Sequence, residues 1–131
     1  MSATTSRFAT PLVADVVAIA VFTIIGRASH EEALSVTGFL TTFWPFLVGT
    51  AIGWVITAAV PGGRSFAPAA LWPAGVVVWI STVVFGMVLR AVSGQGTALP
   101  FVIVATLATG LLLLGWRAVA LAVSRRTASS V

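Results

Sequence analysis

Few side chains in this chain can do chemistry, and most of them stand alone. Asp15, Glu31 and Glu32 are the acids, His30 is the one imidazole, and seven arginines supply the positive charge. There is no Cys, which excludes disulfides, thiolate metal sites, iron–sulfur clusters and covalently attached c-type haem. There is no Lys, so no Schiff base to retinal or pyridoxal phosphate can form. No metal-ligand spacing, nucleophile elbow or phosphate-cradling glycine loop occurs, and Gly94-Gln95-Gly96 reads as a turn. The inventory is thin for catalysis. No enzymatic activity, cofactor or metal site is expected.

Asp15 is the most exceptional of these groups, because it lies inside an apolar run, PLVADVVAIAVFTIIG, over residues 11–26. An ionised side chain at hydrocarbon depth costs roughly 2.5–3.5 kcal/mol on insertion scales, so it needs a partner or a task. Arg117, in the last apolar run, is the candidate partner. Asp15 follows Arg7 by eight residues, and Arg117 precedes Arg125 by eight. At about 1.5 Å per residue, both lie roughly 12 Å from the arginine anchors on one side of the bilayer. Matching height allows them to meet. The pair reads as a buried brace that sets helix register, or as a carboxylate that exchanges a proton or cation beside a tuning arginine. A simple brace would let the exchange of the two charges restore folding lost in each single variant.

Arg27, His30, Glu31 and Arg90 form a second candidate cluster, on the opposite side of the membrane. Ser29 followed by Glu32 makes a capping box, so the segment RASHEEALSVTG can be a solvated, capped helix start. The sharper reading is a pH-sensitive or cation-attracting rim at a pore mouth, since His titrates near neutrality. Arg27 and Arg90 read as interface anchors or partners of Glu31, or as a pair that attracts an anion.

The elements that must position these groups follow from composition. Of the 131 residues, 59% are hydrophobic and 8% charged, with a mean hydropathy of +1.11. Soluble domains carry about 25% charged residues, so this chain cannot build a water-facing surface. At about 20 residues per span it holds four transmembrane helices and no separate soluble domain. The expected class is an all-α, integral membrane four-helix bundle forming one domain, 1–131, with spans near 11–27, 39–60, 71–92 and 98–123. The polar ends, 1–10 and 124–131, are expected to be loose tails. No A-x-A pattern closes the first run, so a retained helix is expected rather than a cleaved leader.

Within the spans, Pro45 should kink or tighten the second helix, and Pro73 should fall in the first turn of the third, where its missing N–H costs nothing. Gly49 and Gly53 form a G-x-x-x-G that permits close approach, either within the chain or between two copies. Gly75, Trp79, Thr82, Gly86 and Arg90 share one face of the third helix, and Thr106, Gly110, Leu113 and Arg117 one stripe of the fourth. Trp72 and Trp116 read as interfacial anchors on one side and Trp44 on the other; Trp54 and Trp79 are expected between helices. Arg7, Arg64, Arg125 and Arg126 lie on the side of the termini and Arg27 and Arg90 on the other, which places both termini in the cytoplasm. The net charge of +4 comes from arginines scattered singly at span ends. No nucleic-acid partner is expected.

Taken in order, Asp15, Gly26-Arg27 with His30, Trp44-Pro45-Phe46, Trp72-Pro73, Gly86 with Arg90, Gly94-Gln95-Gly96-Thr97 and Gly115-Trp116-Arg117 form a pattern. From about Leu12 to Val119 it resembles the small bacterial membrane proteins catalogued as domain of unknown function 3054. The resemblance implies a four-helix fold in a bacterial inner membrane and no assigned activity, so no functional residue is carried over from it. Two functions remain in view. One is a small transporter or channel for an ion or polar solute, as a homodimer with Asp15 and Arg117 at its centre. The other is an accessory or structural subunit that docks on a larger membrane complex through the Gly49/Gly53 face or the Gly75-to-Arg90 face.

Overall fold

Every described helix is long, apolar and nearly free of charge, so each must bury its backbone polarity within itself. The structure, a computed structural model, describes residues 3–29, 35–59 and 67–129. The Ser29–Glu32 capping box, His30, Glu31 and Arg64 lie wholly or partly outside the described residues. Four helices follow in order: α1 (Ala3–Ser29), α2 (Val36–Ala59), α3 (Val76–Val92) and α4 (Leu99–Ser129). All four, α3 together with the turn before it, are long and apolar enough to cross a membrane. Among the described residues there is no strand. The class is all-α, a four-helix bundle of the membrane-spanning kind.

Both terminal helices run past the apolar segments that suggest them. The stretches 3–10 and 124–129, expected as loose tails, continue α1 and α4 as helix. Extending an existing helix adds a hydrogen bond per residue and needs no new nucleus, so polar ends follow the apolar middle. With 31 residues, α4 is about 46 Å long, well beyond the roughly 30 Å hydrocarbon layer.

The start of the third span differs from expectation. Pro73 does not sit in the first turn of a regular helix. Leu71–Gly75 is a separate wide turn, with Trp72 extended at φ −128° and ψ 132° and a cis Trp72–Pro73 bond; regular α3 begins at Val76. The residue before a proline is driven out of the helical region by contact with the proline ring, which breaks the continuity here.

Other boundaries have local causes. Ser35 caps α2, its Oγ accepting from the Gly38 N–H at 3.0 Å. Its signal in the sequence is a serine standing immediately before the apolar run. Between α3 and α4, Gly94 takes φ +82°, a left-handed conformation that side chains resist. It closes the helix with Gln95 N–H on Arg90 C=O at 2.7 Å and Gly94 N–H on Ala91 C=O at 3.2 Å, the Schellman arrangement.

The most extensive helix–helix packing joins α2 to α3. Gly49 and Gly53 lie directly against the α3 backbone at Ser81–Thr82 and Val78, and Thr50 and Thr82 hydroxyls meet at 2.7 Å. Each hydroxyl also reaches the carbonyl four residues before it, Phe46 and Val78, so two protons are shared among three contacts. Gly86 faces the Phe46 ring and Gly110 the Trp79 indole. The core gathers Ala18, Ile19, Phe22, Phe46, Val78, Ala105 and Leu113. On α4 the buried stripe is Ala105, Thr109, Leu113 and Arg117, with Thr106 half-buried at its edge. The G-x-x-x-G is thus spent inside the chain, and so is the Gly75-to-Arg90 face. Neither is left to dock a partner.

A Cβ at Gly49 would lie 2.9 Å from α3 backbone atoms, so Gly49→Ala must push the helices apart. It should cost about 1–3 kcal/mol, read as a lower unfolding temperature in detergent. Gly115→Ala, whose added Cβ meets open space inside α4, should not lower that temperature.

Candidate functional site: a buried charge pair and an arginine-lined cavity

Asp15 and Arg117 meet. Both side chains are 0% exposed, and the guanidinium grips the carboxylate with two parallel bonds, Nη1 to Oδ1 and Nη2 to Oδ2, each 2.8 Å. Such bidentate pairs combine charge with fixed geometry. The remaining arginine protons go to main-chain oxygens. Nε and Nη2 donate to Pro68 C=O at 3.0 and 2.9 Å, and Nη1 to Leu113 C=O at 2.9 Å. Every N–H of the guanidinium therefore has an acceptor.

The carboxylate is equally complete. Trp116 Nε1 donates to Oδ1 and Trp54 Nε1 to Oδ2, both at 2.8 Å, so each oxygen accepts one indole and one arginine proton. The Arg117 guanidinium also lies 4.5 Å over the Trp116 ring. Among the described residues no buried side-chain nitrogen or oxygen lacks a partner. Gly75 fits against the Arg117 stem, where a Cβ would stand 2.8 Å from Cδ.

This site joins α1, α2, α4 and the segment before α3 in one hydrogen-bonded knot. Trp54 was expected between helices, where it is. Trp116 was expected in an interfacial belt; it turns inward, because the carboxylate needs a donor on that side. Trp72, 72% exposed, and Trp44, 39% exposed, keep outward positions. Height and charge point to Asp15 and Arg117, but the two indoles and the Pro68 carbonyl escape sequence reasoning. The available signal was adjacency of Trp116 to Arg117.

The second candidate cluster is divided. His30 and Glu31 lie outside the described residues, whereas Arg27 and Arg90 line the same cavity of about 570 Å³. It is also lined by Phe22, Thr23 and Gly26 of α1, Thr41 and Thr42 of α2, Pro100, Phe101 and Val104 of α4, and Gln95, Gly96 and Ala98 of the connection between α3 and α4. Arg27 Nη1 donates to Thr42 Oγ1 at 2.9 Å. Arg90 donates from Nε to Gly96 C=O and from Nη1 to Gln95 Oε1, both at 2.9 Å, and its guanidinium sits 4.3 Å over the Phe101 ring.

Gln95 Nε2 in turn donates to Thr41 C=O at 3.0 Å. That carbonyl is the one Pro45, lacking an N–H, cannot satisfy. The proline inside α2 thus creates an acceptor, and the Gly94 turn delivers a donor to it. No acid lines the cavity among the described residues, and neither Asp15 nor Arg117 reaches it. Among the described residues no three His, Cys, Asp or Glu side chains group as metal ligands.

Breaking the knot leaves an unmatched buried ion, so Asp15→Leu or Arg117→Leu should each cost about 3–5 kcal/mol of stability in detergent unfolding. The charge exchange, Asp15→Arg with Arg117→Asp, should not rescue either. It sets a carboxylate against the Pro68 and Leu113 carbonyl oxygens and a guanidinium against two indole N–H groups. Recovery of wild-type stability in the exchanged protein would show that these four partners are dispensable.

Comparison with curated proteins and with solved structures gives no match. A family model does match, over residues 12–120, a stretch that takes in most of each of the four helices, the charge pair and the arginine-lined cavity. By that match the chain belongs to the family described as protein of unknown function DUF3054.

Proposed function

We propose that the protein is a small membrane carrier or channel for an anionic solute, which it takes at the Arg27/Arg90 cavity. One observation carries the reading: two guanidinium groups from different helices line one open cavity, together with the side chains of Thr41, Thr42 and Gln95. Arginine holds oxyanions by charge-assisted, often bidentate bonds, each contributing about 1.5–3 kcal/mol. The sequence supports the setting. With the termini cytoplasmic by arginine bias, the cavity faces the outside of a bacterial inner membrane.

In this reading the Asp15–Arg117 pair is a fixed brace and takes no part in exchange. Its donors and acceptors are all used, and it is fully shielded from solvent. The function is binding and transfer, with no catalytic step.

A second reading, the accessory subunit, is favoured by the end of α4. Residues 118–127 are exposed on every side of the helix and carry Arg125 and Arg126. A second copy or a larger membrane complex would find an accessible helix there.

Purified protein in sealed liposomes separates the two. Flux of a test anion should fall about tenfold or more in Arg27→Gln and in Arg90→Gln, with unfolding temperature held. Wild-type protein that moves no anion, yet is recovered from native membranes with stoichiometric partners, would replace transport by the accessory reading.

A further inference from the structure

We infer that Gln95 is a releasable clasp on a proline hinge: with its amide off Thr41 C=O, the first turns of α2 pivot at Pro45 and widen the cavity. The inference concerns the cavity's shape rather than its ligand, and it stands whether or not the site takes an anion. Three observations carry it.

The first is that α2 is held differently on the two sides of Pro45. After it, Gly49 and Gly53 rest on α3 backbone atoms, and the buried Thr50 and Thr82 hydroxyls meet. That part cannot shift without unpacking the bundle. Before it, Val36, Leu40, Thr41 and Trp44 are exposed. Pro45 supplies no N–H to Thr41 C=O, so the helix lacks one rung where the two parts join. Helices bend at such places.

The second is what stands in for the missing rung. Gln95 Nε2 donates to Thr41 C=O at 3.0 Å, in a bond that is exposed. The rest of the amide belongs to its own turn: Oε1 accepts from Arg90 Nη1, and Nε2 also donates to Ser93 Oγ at 3.2 Å. One arm reaches across, and the body of the clasp keeps its place when the arm lets go. Water replaces an exposed neutral bond at little cost, a change of about three- to tenfold in an equilibrium constant. The Asp15–Arg117 knot, 0% exposed, has no such exchange open to it.

The third is how the cavity lining divides. Part comes from α1 and α2, and the rest from α3, α4 and their connection. Arg27 joins the first two helices, with Nη1 on Thr42 Oγ1 and its guanidinium against Gly38. Arg90 joins α3 to the connection, on Gly96 C=O and Gln95 Oε1. The Gln95–Thr41 bond runs from one group to the other. Its release lets Thr41 and Thr42 move away from Gln95 and Gly96.

The test uses the full chain in nanodiscs, and the absence of Cys allows labels at chosen positions. Leu40 on α2 and Ile103 on α4 are exposed and report on the part before Pro45; Val55 and Leu111, exposed on the same helices, report on the part after it. Each pair is changed to Cys and given nitroxides, and its distance distribution is measured by pulsed electron paramagnetic resonance. Gln95→Glu keeps the acceptor for Arg90 but sets an oxygen against Thr41 C=O; Gln95→Ala removes the arm altogether. In both, a long-distance component of the Leu40/Ile103 pair should grow about three- to tenfold, with the Val55/Leu111 distribution unchanged. A single Thr23→Cys, at a position that lines the cavity and is 1% exposed, should react with a small thiol reagent faster by about the same factor. Either readout without the other overturns the inference, and so does the absence of both. Equal widening of the two distance pairs overturns the hinge, since it would mean that the whole bundle loosens.

Discussion

An ion pair inside a bilayer has no water to correct its mistakes, and the whole bundle is arranged around that fact. Asp15 and Arg117 attract each other strongly in a low-dielectric setting, but the attraction offsets their lost hydration only when every other lone pair and proton is matched as well. Here the match is complete, with two indoles on the carboxylate and two main-chain carbonyls on the guanidinium. Those partners come from α2, α4 and the segment before α3. The demand of one charge pair therefore fixes how three elements sit against α1.

The same rule, that each polar group must find its partner within the protein, explains the irregular places. Prolines release carbonyl oxygens and turns expose them. Thr41 C=O, left open by Pro45, takes Gln95; Pro68 C=O takes Arg117; Gly96 C=O takes Arg90. Long side chains with several donors answer backbone interruptions in each case. In water these carbonyls would be solvated and would specify little. In lipid they become anchor points.

The two ends of the bundle consequently differ in character. One holds the ion pair, with every donor and acceptor of that pair used. The other has Arg27 and Arg90 among the residues that line an open cavity. The G-x-x-x-G contact between α2 and α3 supplies the stiff centre against which α1 and α4 lean.

Much of this is legible in the amino-acid chain. Hydropathy determines four spans, because a backbone in hydrocarbon must be helical over about 20 residues. Counting from the arginine anchors brings Asp15 and Arg117 to one height, and a buried acid in lipid requires a counter-ion. Gly49 and Gly53 announce close packing, though not with which helix. Tertiary structure alone decides the rest: the inward turn of Trp116, the Pro68 carbonyl, the Gln95–Thr41 link, and the cavity shared by Arg27 and Arg90. The physical reason is rotational. Around α1 and α4 nearly every face is apolar, so periodicity cannot say which face turns inward, and height along the axis is written in the sequence while angle about it is not.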